Sequence, residues 1–233
     1  MYPEHQKNLF TRDWVVPAHA HIVPTALATL LSLAWLGYST NGSMSGWALS
    51  WPGLHERGSW LLVLHIFAHG GLLHLIMNVS ALMLVGGPLI SRLGTPPLSW
   101  ARFLYLFFGS GLAGAALFLA FHFGRPAAMM GASGAIFGIV GALARVHPAT
   151  GEVVPLKSAR TMMLAKLFLQ NHLILLALVV IVALLTGARQ GFAWEAHLGG
   201  LLFGFLATPL YLPPMIERVD DTDGDAHAFE PTK

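Results

Sequence analysis

Along the chain, long and almost uncharged apolar blocks alternate with polar joints. A membrane-spanning helix needs about 20 predominantly apolar residues. Six blocks approach that length, at residues 22–40, 70–90, 103–123, 133–146, 167–186 and 193–211. The first and third contain no Asp, Glu, Lys or Arg. The pattern predicts an all-α membrane protein with six transmembrane helices across residues 22–212. A polar segment, 1–21, precedes the bundle. A tail, 213–233, follows it and is expected to be disordered, because Asp220, Asp221, Asp223 and Asp225 crowd it with like charge. The N-terminal segment lacks the small-residue cleavage site of a signal peptide, so the first apolar block is expected to be retained.

The fourth block breaks the pattern. From Ser133 to Val146 it provides about 14 residues, or roughly 21 Å of helix, against a hydrocarbon core of about 30 Å. Arg145 pins one end at a membrane surface. The other end, at Ser133, therefore starts inside the membrane, and the stretch GRPAAMM before it must dip in to meet it. Irregular backbone at that depth is tolerated only where protein shields it or where it lines a wet cavity. The expectation is a hydrated hollow, open to one side, with Ser133 at its floor and Met129 and Met130 lining or filling it. Between the first two spans, 41–69 begins rich in Gly, Ser and Trp. It then runs through the short apolar stretch SWLLVLHIFAH, which reads as lying in the interface.

Composition agrees with this picture. Charged residues make up 10% of the chain and hydrophobic ones 55%, far from a soluble domain. A net charge of +2 gives no basis for nucleic-acid binding. The absence of cysteine removes disulfides and thiolate metal sites. The Lys and Arg residues divide ten to three between the two sides of a six-span topology. Arg57, Arg125 and Arg189 stand on the minority side. The positive-inside rule then places both termini in the cytoplasm.

Polar side chains inside the membrane are functional candidates. The second span carries His74 and Asn78, four residues apart on one face. The fourth carries Ser133 and the sixth His197. All three spans enter from the same side, so these groups fall at similar depth. Read alone, Gly134 with Gly138 and Gly200 with Gly204 are small-residue packing motifs, and each histidine is a structural hydrogen-bonder. The combination says more. Small faces let two helices approach closely, and a Ser–His hydrogen bond of about 2.6–3.2 Å demands such an approach. Ser133 is then the nucleophile and His197 the base. Glu195 lies about 200° around the helix from His197 and cannot readily orient it, which favours a dyad. The Ser133 backbone N–H at a helix start, with His74 and Asn78, would supply donors to an oxyanion.

With these residues in place, the chain resembles the rhomboid family of intramembrane serine proteases over residues 22–212. GASGAIFG at 131–138 is similar to the family's GxSGxxxG, AHLGG at 196–200 to its AHxxG, and HLIMN at 74–78 to its HxxxN. His69 lies five residues before His74, as in many bacterial members. The resemblance implies a six-helix rhomboid bundle and a Ser133–His197 dyad. It implies an oxyanion hole of His74, Asn78 and the Ser133 backbone, with Gly131, Gly134, Phe137, Gly138, His69 and Gly200 in support. It also implies no cofactor or metal, transmembrane protein substrates cut near the outer surface, and a multi-pass protein of a bacterial inner membrane. The fifth helix and the loop GARQGFAW after it are implicated in substrate access. Departures exist: Phe137 replaces a common Tyr, Ile90 stands where a Glu is frequent, and the Trp-Arg pair of the first outer loop is missing.

Two other classes compete: a non-catalytic rhomboid-like factor that binds or escorts membrane proteins, and a small-solute transporter. The intact Ser and His argue against the first. The apolar inner half argues against the second. His19, His21, His55, His122, His147, His172 and His227 read as residues of loops and helix ends with no metal-ligand spacing. His65 reads as dressing of the interfacial stretch, and His69 as a support for His74 or the loop.

Overall fold

The computed structural model describes residues 16–39, 42–147, 151–186 and 192–212. The N-terminal residues up to 15, the acidic tail from 213 and residues 187–191 of the stretch GARQGFAW lie outside the described residues. Among the described residues there are eight α-helices and no strand, only isolated bridges. They are α1 (Ile22–Ser39), α2 (Trp51–Arg57), α3 (Leu61–Leu64), α4 (Leu72–Ile90), α5 (Leu98–Phe121), α6 (Ser133–Arg145), α7 (Ala159–Thr186) and α8 (Trp194–Ala207). The six predicted blocks correspond to α1, α4, α5, α6, α7 and α8, and the small α2 and α3 fold the long first connection. Four helices are long and apolar enough to cross a membrane, those built on α1, α4, α5 and α7. α6 and α8, with 13 and 14 residues, are shorter.

Three boundaries differ most from expectation. α8 ends at Ala207, short of residue 211, and a 3-10 turn, Thr208–Leu210, follows it. α5 begins at Leu98, ahead of Phe103. α7 begins at Ala159, so the stretch before Leu167, read as loop, is helical. Its start has a local cause. The Ser158 hydroxyl accepts the Thr161 N–H at 3.1 Å, satisfying a donor that the first turn leaves without a partner.

α6 is the centre of the bundle. Gly134, Ala135, Ile136, Gly138, Ile139, Gly141, Ala142 and Ala144 are all buried, against α4, α5 and α8. Phe103, Phe107, Leu82, Leu89 and Leu31 complete the core beside it. At the far end, the Arg160 guanidinium donates to the Leu143 and Ala144 carbonyls, a cation on a helix C-terminus. Arg145 lies over the Phe205 ring at 5.1 Å. Outward faces are apolar: Leu33, Leu73, Leu84 and Leu173 are exposed, as lipid contact requires. α7 is the peripheral helix, with only 6% of its most apolar window buried.

The stretch before α6 is irregular and shielded by protein. Leu49 and Met129 exchange backbone hydrogen bonds at 2.8 and 2.9 Å, and the Gly131 N–H donates to the His65 carbonyl at 2.8 Å. The first connection thus covers the backbone that leads to Ser133. Met129 is buried among Leu49, Leu61 and Phe118, filling space. His65 is a correction. It is 3% exposed, not dressing, and its Nδ1 meets the Leu61 carbonyl at 2.9 Å. The surrounding connection supplies α2, α3 and several buried side chains, so a histidine there becomes core.

Burial pushes the His65 imidazole down to about 4, and burial together with the nearby His74 does the same for His69. Between that value and the ordinary 6.5, the unfolded loop binds more protons than the folded one. Loop stability is therefore full above about 6.5 and is lost as pH falls toward 4. Protection factors at residues 61–69, taken against the intrinsic exchange rate at each pH, should fall over that window; equal protection factors at pH 7 and about 4.5 would show that the loop does not depend on neutral histidines.

Candidate active site

Gly131 and Ala132 set the start of α6. Gly131 has φ +120°, a backbone that L side chains rarely adopt, and a Cβ there would stand 2.7 Å from His74 Nε2. The first backbone bond of the helix runs from Ile136 N–H to the Ala132 carbonyl at 3.0 Å. The N–H groups of Ser133, Gly134 and Ala135 therefore have no partner within the helix. Ser133 is half-buried, and its Oγ lies 2.7 Å from His197 Nε2.

Backbone contact makes that distance possible. A Cβ on Gly200 would overlap the Gly134 carbonyl oxygen, and one on Gly204 the Gly138 carbonyl oxygen. On its other side α8 meets α5. A Cβ on Gly199 would lie 2.7 Å from the Ala113 carbonyl oxygen, and one on Gly114 2.5 Å from that of Ala196. α8 is thus seated between α5 and α6 with no side chain to hold it off. Phe137, one turn below Ser133, lays its ring on His197, with centroids 4.5 Å apart and planes 31° apart.

His74 and Asn78 project from α4 toward Gly131, the residue two before the serine. Asn78 is buried and donates from Nδ2 to the His74 carbonyl at 3.1 Å. The His69 ring meets the His74 ring edge-on at 5.1 Å, and its Nδ1 lies 3.2 Å from the Phe67 carbonyl. Ser133, His197, His74, Asn78, His69, Gly131, Gly134, Phe137, Gly138 and Gly200 thus all surround the start of α6.

Glu195 turns away from His197, as its angular offset requires. Its Oε1 pairs with His122 Nε2 at 3.1 Å and ties α8 to the end of α5. The neighbour of His197 Nδ1 is instead His172 on α7. Its Nε2 is 3.0 Å away, and its Nδ1 lies 2.8 Å from the Phe168 carbonyl. Placing the helix start at Leu167 had put His172 near an end, among incidental histidines. With α7 starting at Ala159, it lies mid-helix. The available signal was the rule that an ionisable group within a span has a partner.

The arrangement defines a helical, multi-pass membrane protein with a serine hydroxyl and an imidazole in contact at the start of a short central helix. The chain belongs to the rhomboid family, since the Rhomboid domain matches residues 56–214. It is 28% identical to RHOMBOID-like protein 5 of Arabidopsis thaliana over 174 residues, covering 69% of this chain and 51% of that protein. It is 31% identical to Rhomboid protease GluP of Bacillus subtilis over 153 residues, covering 64% of this chain and 25% of the relative. The chain thus spans between a quarter and a half of the length of these relatives.

Proposed function

We propose that this protein is an intramembrane serine endopeptidase that hydrolyses peptide bonds of transmembrane proteins near the outer membrane surface, with Ser133 as nucleophile and His197 as base. The observation that carries the reading is the 2.7 Å contact between His197 Nε2 and Ser133 Oγ. Family membership supports it, since rhomboids are typically intramembrane serine proteases and one relative is named a rhomboid protease.

The chemistry follows from the groups present. His197 Nε2 takes the Ser133 proton as Oγ bonds to the substrate carbonyl carbon. The carbonyl oxygen becomes an oxyanion and accepts from the Ser133 N–H, with His74 and Asn78 as further donors. His197 then gives its proton to the departing amine, and the C–N bond breaks. Water, deprotonated by His197, hydrolyses the acyl-serine and regenerates the hydroxyl. No cofactor enters any step. In this reading substrate and water approach Ser133 from the outer side, with both termini cytoplasmic by the charge rule.

Cleavage of a model transmembrane substrate in liposomes, with fluorophosphonate labelling beside it, tests the reading. Labelling that is absent, or that persists in Ser133→Ala, would favour a non-catalytic binding factor. Asn78→Ala is expected to lower kcat by roughly 10²–10³-fold, the usual worth of one oxyanion donor, with KM little changed. Steady-state kinetics on the purified variant check this, and an unaltered kcat removes Asn78 from the oxyanion hole.

A further inference from the structure

We infer that His172 is a positioning residue that holds His197 in the one tautomer able to accept the Ser133 proton. The inference rests on the reading of Ser133 and His197 as nucleophile and base.

Hydrogen-bond direction fixes both tautomers. A backbone carbonyl only accepts, so the 2.8 Å contact with the Phe168 carbonyl places the N–H of His172 on Nδ1. A neutral imidazole has a single N–H, so His172 Nε2 is left with a lone pair. That lone pair faces His197 Nδ1 at 3.0 Å, so the His197 hydrogen sits on Nδ1. His197 Nε2 is then unprotonated and 2.7 Å from Ser133 Oγ, ready to accept. The chain runs one way, from the Ser133 hydroxyl through His197 and His172 to the Phe168 carbonyl. It cannot be reversed while His172 is neutral, because the terminal carbonyl has no proton to give.

The surroundings support this role. Among the described residues no carboxylate hydrogen-bonds His172 or His197, and Glu195 is engaged with His122. Phe168 stacks on His172 with centroids 3.9 Å apart, Phe137 contacts both imidazoles, and Phe192 closes the other side at 5.7 Å from His172. These rings limit rotation of both imidazoles. When His197 takes the Ser133 proton at Nε2, its Nδ1–H continues to donate to His172, now from a cation, which strengthens that bond. The proton leaves with the amine, and His172 neither gains nor loses one. Without His172, both tautomers of His197 are open, and the one with N–H on Nε2 donates to Ser133 instead of accepting from it.

The test uses the full chain in lipid and two substitutions. His172→Phe keeps an aromatic ring in the cage and removes the acceptor. His172→Gln removes the ring and returns an acceptor near the Nε2 position. His172→Phe is expected to slow both fluorophosphonate labelling and kcat by roughly 10–100-fold with KM within about twofold, and His172→Gln to recover most of the rate. This is smaller than the roughly 10⁴-fold loss when a charged orienter is removed from a serine–histidine–aspartate site. Nitrogen-15 shifts of His197 should report N–H on Nδ1 in the wild type and a tautomer mixture in His172→Phe. The inference is overturned if His172→Phe matches wild type, if His172→Gln is no better than His172→Phe, or if His197 carries its hydrogen on Nε2 in the wild type. In those cases Ser133-dependent labelling of the wild type leaves the protease reading standing. A wild type that does not label at Ser133 removes both.

Discussion

Ser133→Ala is expected to abolish cleavage of a transmembrane substrate and fluorophosphonate labelling together, while the protein is still inserted and folded. The expected fall in kcat is on the order of 10⁵–10⁶-fold, which puts cleavage below detection. The substitution removes one oxygen from a half-buried site and leaves α6 intact, since alanine is the best helix former. His197→Ala should cost about as much. The double variant should be no worse than either single one, because nucleophile and base act as one unit and the second loss has nothing left to remove. Additive losses in the double variant would mean that the two side chains act in separate steps. Residual Ser133→Ala activity near wild type would mean that the hydroxyl is a packing group between Gly131 and Gly134. The small-probe arm matters here, because it reads the nucleophile without requiring a transmembrane segment to dock.

The second large effect comes from a residue that touches no substrate. Gly200→Ala adds one methyl where α8 meets the Gly134 carbonyl, and that methyl has no room. α6 and α8 must separate, and the 2.7 Å contact between His197 and Ser133 spans that seam. A displacement of about 1 Å is enough to cost roughly 10²-fold in rate. Overpacking of this kind also destabilises by about 1–3 kcal/mol. Gly37→Ala is the matched control. It is the same chemical change on α1, where an added Cβ meets nothing within 4 Å, so activity should be retained and stability equal or slightly higher. Thermal unfolding and labelling of the pair check this. Equal behaviour of the two variants would show that the seam yields without disturbing the site.

His172 and Gly200 act on His197 from opposite sides. Gly200 sets how near the imidazole comes, through contact of backbones. His172 sets which nitrogen carries the hydrogen, through a side-chain contact from a helix that is otherwise largely exposed to lipid. The two effects are separable, because Gly200→Ala is expected to lower stability and rate together, and His172→Phe to lower rate alone.

Much of this architecture was legible in the residues themselves. A span is a local property. Each residue of helix adds about 1.5 Å, the bilayer core is about 30 Å, and a charge inside it is costly, so apolar block lengths alone separate the long helices from the short α6. The same arithmetic placed Ser133 at an irregular start, and the glycine spacing beside Ser133 and His197 indicated a close seam. Other relations are contained in no local rule. The polar residues of α7 are spread around its circumference, so periodicity could not say which face meets the bundle or what His172 faces. Which acceptor stands at His197 Nδ1 depends on the rotation of α7 against α8 across residues distant in the chain. The burial of His65 depends likewise on a loop folding back over the approach to Ser133. Composition and spacing determined the number of long apolar segments and the chemistry they carry, because lipid acts on each segment separately. Only the tertiary structure decided how those helices turn toward one another, because that rotation is set by packing between segments.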